Sequence, residues 1–347
     1  MSPHSPKTPS GDRGFTLVEV MVAMVIGMIG IVIMMQVFAT AEGQKRATTG
    51  TGDAQSTGAT ALYELQRDIR QGGYGLNSLS LLSCGLVLPS GATLPTLGPA
   101  IINPRKADAS LLLPAGDANT DTLLIGYGSG AGSSEGDAIT NPNGTILAVQ
   151  TAANFVVGDA VIAAPVSDGT VACALTLTMD RVTAVATPWV TIGSTPAVPG
   201  GLLFNIGQAP AIRAYAIRGG NLTVCDYLAN DCGSAGNVGD ATIWRPIDSN
   251  IVSLRAQYGH NNTNPITWDQ TTPTTACQWV QTSALRIAVV ARNSQVDKNQ
   301  ITASAPTWEG SAALPFDLSA RANWQNYRYK VFETVVPIRN LPWMAKC

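Results

Sequence analysis

Residues 14–41 read Gly14-Phe15-Thr16-Leu17-Val18-Glu19 and then VMVAMVIGMIGIVIMMQVFATA, ending at Ala41. From Val20 to Ala41 no residue is charged, and these 22 residues form a helix of roughly 33 Å, long enough to cross a bilayer. A secretory signal would start nearer the N-terminus, hold its apolar run to about 7–15 residues and follow it with a small-residue cleavage site. This run is too long for that, so it reads as a retained membrane helix. The segment before it, MSPHSPKTPSGDRG, is polar and carries three prolines.

Glu19 interrupts the apolar pattern. An unpaired carboxylate costs up to about 3 kcal/mol at full membrane depth and less near the headgroups, where it stays wet. A cut between Gly14 and Phe15 would place a cationic α-amine four residues before Glu19, about one helical turn away. The two charges could then neutralise each other, within one chain or between neighbours in a helix bundle.

The string Gly14-Phe15-Thr16-Leu17-Val18-Glu19 resembles the processing motif of type IV prepilins, in which an apolar helix follows G-F-T-L-x-E. The resemblance implies that a prepilin peptidase cleaves after Gly14, that Phe15 becomes the N-methylated terminus, and that Glu19 guides docking into a growing filament. Many major pilins also have a proline in this helix. Here the chain is proline-free from Ser10 to Leu88, and Gly27 and Gly30 are the weak points of the run.

Charge does not settle the orientation, because Lys7 and Arg13 before the span are matched by Lys45 and Arg46 after it. Cysteine placement does. Cys84, Cys173, Cys225, Cys232, Cys277 and Cys347 all follow the helix, which puts the C-terminal bulk in an oxidising compartment, periplasmic or extracellular. Cys225 and Cys232 are close enough in sequence for a local disulfide. The other four allow three pairings that sequence does not rank.

Residues 43–60 are rich in Gly and Thr and poor for helix by propensity. In ALYELQRDIRQ, Leu62, Leu65 and Ile69 recur at i, i+3 and i+7, a stripe expected to pack on a sheet, and Gly72-Gly73 end the pattern. A helix continuous from Phe15 to Gln71 would span about 85 Å. Beyond it, nine segments read as strands: DTLLIGYG, GTILAVQ, DAVIAAPV, CALTLTMDRVTAV, AIRAYAIR, LTVCDY, IVSLRAQYG, ALRIAVVARN and YKVFETVVPIRN. Arg218-Gly219-Gly220-Asn221 and Asn143-Gly144 are hairpin signals, and residues 126–144 read as a flexible loop by composition.

LQRDIRQGGYG and the three late strands resemble the PilW family of minor pilins, and the former also J-type pseudopilins of type II secretion. The expected fold is therefore α+β and type IV pilin-like. It has a leader over 1–14, a helix over 15–72 that is transmembrane at about 17–41, and a β-rich head over 73–347. The resemblance implies a minor pilin that helps prime pilus assembly and sits at or near the tip, with a J-type pseudopilin as the alternative. Its implied partners are other minor pilins, the major pilin, a tip adhesin, prepilin peptidase and, before assembly, inner-membrane lipid.

Composition argues against other classes. The formal net charge is −2, with 15 arginines and six lysines dispersed along the chain, so no basic stripe for nucleic acid is expected. The two histidines, His4 and His260, nearly exclude a His-clustered metal site. Asp117-Ala118-Asn119-Thr120-Asp121 lacks the spacing of a calcium loop and reads as a polar turn, with Asp226 and Asp231 paired or solvated. His260 has no candidate nucleophile nearby and reads as a surface loop residue. Trp268, Trp279, Trp308, Trp324 and Trp343 cluster late and are expected to pack in the core. No catalytic residue, cofactor or metal is expected.

Overall fold

The computed structural model describes residues 14–106, 108–130, 132–196, 198, 200–342 and 347. Residues 1–13 of the expected leader, with His4, Lys7 and Arg13, lie outside the described residues, as does Trp343. The chain divides into two compact units, 1–51 and 52–347.

Helix α1 runs from Leu17 to Gln71 without a break. The Gly- and Thr-rich stretch 43–60 is thus helical, against its propensity, and its residues show why. Thr48, Thr57 and Thr60 donate their hydroxyl protons to the carbonyls of Gln44, Asp53 and Ser56 one turn back at 2.9–3.0 Å, so these three hydroxyls are satisfied within the helix. In the second unit the buried positions are Ala54, Gly58, Ala61, Leu65, Asp68 and Ile69, a stripe of small residues and then large ones. A Cβ on Gly58 would overlap the Phe332 ring and lie 2.9 Å from the Ala291 Cβ, so glycine sets the closeness of helix and sheet here. Leu65 and Ile69 of the expected stripe are fully buried, and Leu62 packs at the margin of the core.

Three sheets make up the remainder of the second unit. The first contains β1 (Gly85–Val87), β2 (Thr93–Leu94), β5 (Asp137–Asn143), β6 (Ile146–Val149), β7 (Ala160–Ala164), β8 (Thr176–Ala186), β9 (Trp189–Ile192) and β10 (Gly201–Gly207). Six of these, in the order β8-β7-β10-β5-β6-β9, close into an antiparallel ring because β9 pairs back onto β8. The ring has its own core, filled by Leu147, Val149, Val161, Ala163, Val182, Val190, Ile192 and Leu203. Alternate residues of β7, Ala160, Ile162 and Ala164, turn the other way into the main core. That double burial explains why the strand itself, AVIAA, is apolar at every position.

The second sheet has the order β13-β12-β11-β4-β3, with β3 at Ala100–Ile102, β4 at Leu123–Tyr127, β11 at Ala211–Arg218, β12 at Asn221–Asp226 and β13 at Arg245–Ser249. Gly219 and Gly220, at φ +57° and +75°, form the two-residue turn between Arg218 and Asn221. The third sheet, β15-β14-β16-β17, comprises β14 (Ile251–His260), β15 (Thr267–Asp269), β16 (Thr282–Arg292) and β17 (Tyr329–Pro337), with a short helix α2 (Ala276–Val280) leading into β16.

All nine segments read as strands contain one. The loop reading of 126–144 is corrected in part. Residues 137–143 form β5, held by a hairpin ladder to β6, which follows at once, and by a second ladder to β10, which lies far from it in sequence. Strands β9, β10 and β13 carried no signal strong enough to be singled out. The ring occupies residues between β4 and β11, which are themselves neighbours paired from Tyr127↔Ala211.

Candidate functional site

The N-terminal motif starts α1. Glu19 N–H donates to the Thr16 carbonyl at 3.0 Å and to Thr16 Oγ1 at 3.3 Å, and Val20 N–H donates to the same carbonyl at 3.2 Å. Thr16 therefore caps the helix, and Glu19 supplies a negative charge in its first turn, where the helix dipole favours one. Gly14 and Phe15 precede the helix, so the bond between them lies in non-helical backbone. Phe15 is 80% exposed, and the large apolar side chains from Val20 to Phe38 are all exposed. This stretch is long and apolar enough to cross a membrane.

In the second unit, α1 is fixed to the head by a buried charge. Asp68 has no exposed surface; its Oδ2 accepts from Tyr215 Oη at 2.6 Å and Arg213 Nη1 at 2.9 Å, and its Oδ1 accepts from Arg67 Nε at 3.3 Å. Burial and the adjacent carboxylate push the Tyr215 phenol up and keep it a donor. Partial burial works against the Arg213 guanidinium, but the Asp68 charge and the hydrogen bond to it together outweigh that and hold the group cationic. Sequence reading noticed the apolar stripe on this helix but missed Asp68, whose position three residues after Leu65 was the available signal.

The cysteines form three disulfides, Cys84–Cys173, Cys225–Cys232 and Cys277–Cys347. The first ties the segment before β1 to the β7–β8 loop of the ring, and the third ties α2 to Cys347. Asp117 accepts from the N–H groups of Gly219 and Gly220 and pairs with Arg321 at 2.9 Å, bracing the β11–β12 turn. Asp121 is buried and bonded to Asn103, Gln270, Arg255 and the Ala256 N–H, joining the second and third sheets. Desolvation raises its carboxyl pKa, against these donors. Asp226 and Asp231 accept backbone N–H groups in their own turns.

His260 is corrected from surface loop to strand. It ends β14, largely buried, with Nε2 3.3 Å from Asp269 Oδ1 and Nδ1 3.3 Å from Thr282 Oγ1. The set superficially looks like a hydroxyl–imidazole–carboxylate triad. However, Thr282 is fully buried and gives its proton to the Gln278 carbonyl at 2.9 Å, so its oxygen is neither free nor reachable. Trp279 packs edge-on against Tyr258, and Arg286 lies over the rings of Trp268 and Trp308. Of the tryptophans expected in the core, Trp279 and Trp308 are buried, whereas Trp268 and Trp324 are only half-buried. Among the described residues no group of three or more His, Cys, Asp or Glu could hold a metal ion.

Two family models match the chain. Residues 9–35 match the prokaryotic N-terminal methylation motif, and residues 225–340 match Type IV Pilus-assembly protein W. No curated protein matches, and no solved structure matches. With the long apolar helix and the β-rich head, these matches support a type IV pilin. The particular family they support is PilW. They point to a structural subunit rather than an enzyme, to prepilin peptidase processing, and to interaction with other pilus components.

Proposed function

We propose that this protein is a minor pilin that takes part in priming assembly of a type IV pilus and stays at or near its tip. Before assembly it sits in the inner membrane as a single-pass protein with its head in the periplasm, where the three disulfides are stable. The observation that carries this reading is a 22-residue uncharged stretch of helix with exposed apolar side chains, opened by a single carboxylate. Such a surface needs lipid or other helices of the same kind to cover it. Prepilin peptidase cuts between Gly14 and Phe15 and methylates Phe15. The cut leaves the Thr16 cap and the first turn intact while releasing a cation next to Glu19. Glu19 then pairs with the Phe15 amine of a neighbouring subunit and selects its register. The partners are other minor pilins, the major pilin and a tip adhesin. The match to a pilus-assembly family over the late strands disfavours the J-type pseudopilin.

Mass spectrometry of the mature N-terminus tests the processing step, with methylated Phe15 as the expected first residue. Gly14→Ala is expected to retain the leader and abolish incorporation. Glu19→Ala is expected to be cleaved normally yet reduce piliation severely; full piliation in that variant would remove the charge pairing from the mechanism.

A further inference from the structure

Open sheet edges present unpaired N–H and C=O groups, and folded proteins blunt them with short strands or prolines. Most of this head follows that rule. Edge strand β2 has two residues, β3 and β15 have three each, and β13 has five including Pro246. The remaining edge, β17, runs nine residues from Tyr329 to Pro337 and pairs with β16 along its full length.

Two hydrogen bonds at its ends define which groups are free. Asn293 N–H donates to the Arg328 carbonyl at 3.0 Å, and Ile338 N–H donates to the Ser283 carbonyl at 2.9 Å. In an antiparallel ladder the paired residues alternate. Even-numbered residues of β17 therefore face β16, and Val331, Glu333 and Val335 turn their N–H and C=O groups outward. Among the described residues no hydrogen bond reaches these three N–H groups. The Glu333 side chain is exposed, with Oε2 accepting from the Glu309 N–H at 2.9 Å, and Val335 is 45% exposed, whereas the Val331 side chain is half-buried against the cluster of Trp308 and Phe316.

We propose that the outer edge of β17, Val331–Val335, is a docking site for an extended strand of a different pilus subunit, which continues the third sheet. Backbone pairing supplies the affinity and the alternating side chains supply the choice of partner. The row Val331, Glu333, Val335 fits a strand with lysine or arginine between two apolar residues at alternate positions. A second copy of this chain is a poor occupant. Two β17 edges paired antiparallel over their full length set Glu333 against Glu333, and like charges directly opposite destabilise a sheet.

This inference rests on the pilin reading, and the test separates the two. The full chain is co-expressed with the other minor pilins of its pilus and purified from membranes, alone and in complex. Amide hydrogen exchange is then followed at Val331, Glu333 and Val335. Slowing of these three amides by about a hundredfold or more in the complex is expected, with the even-numbered amides slow in both samples. Val335→Pro removes one outward N–H and leaves every bond to β16, and Glu333→Lys reverses the central charge. Each is expected to weaken complex formation about tenfold or more, while Val335→Thr is expected to behave as the parent. Free exchange of these amides in the complex, or normal association of Val335→Pro, overturns the proposal. Mass spectrometry of the same preparation reports Phe15 separately. A processed and methylated Phe15 with unprotected β17 amides sinks the strand docking alone, whereas an uncut leader sinks the pilin reading.

Discussion

Asp68 and Asp248 show two opposite uses of a carboxylate at the same helix–sheet junction. Asp68 is fully buried and fully partnered, and removing it leaves Tyr215 without an acceptor and Arg213 without a counter-charge. Asp68→Ala is expected to cost about 2–3 kcal/mol, below the usual loss for a broken buried pair because Arg213 reaches solvent in part. Chemical denaturation of the full chain in micelles measures it. Asp248 in β13 lacks such partners. Partial burial and then the like charge of Glu64 on α1 push its carboxyl up to about 6. The ionised form therefore disfavours the fold above pH about 6, and that strain is relieved as pH falls from there toward the ordinary carboxylate range. Asp248→Asn is expected to raise the melting temperature at neutral pH, with the gain over the parent shrinking toward pH about 4. A gain that stays constant across melts at several pH values would contradict this assignment.

The helix itself shows why propensity misleads for an isolated element. Residues 43–60 look helix-poor because glycine and threonine are, on average, but averages ignore what each residue meets. Gly52 faces open space, whereas a side chain at Gly58 would run into Phe332 and Ala291. The same substitution should therefore act in opposite directions. Gly52→Ala is expected to stabilise by about 0.5–1 kcal/mol through helix propensity. Gly58→Ala is expected to destabilise by about 1–3 kcal/mol through overpacking. Thermal unfolding of the two variants side by side decides it. Strands were legible where apolar residues were continuous or cleanly alternating, as in IVSLRAQYG and YKVFETVVPIRN. Strand β5, DAITNPN, was hidden by its proline, its two asparagines and its glycine-rich approach, because what makes it a strand is pairing with β10 and β6.

For the molecule as a whole, the unexpected feature is the six-stranded ring between β4 and β11. Its interior carries a core of its own, while one wall shares the main core. The Cys84–Cys173 bond closes a separation of 89 residues and fastens the ring to the head, whereas Cys225–Cys232 closes one of only seven. Replacing Cys84 and Cys173 by serine is expected to cost about 2–4 kcal/mol, and removing Cys225–Cys232 less, since the shorter loop restrains the unfolded chain less. Melts of the two double variants provide the comparison.

Residues 14–41 carry their signal without any fold around them. A membrane-length run with one acid at its start is a matter of charge and length, and the prepilin-like string Gly14–Glu19 is local. The head is another matter. Which cysteines meet, where Asp68 and His260 find partners, and that the middle of the chain curls into a closed ring depend on contacts between residues far apart in sequence. Such contacts leave no periodic trace in any short window, so they became visible when the strands were paired.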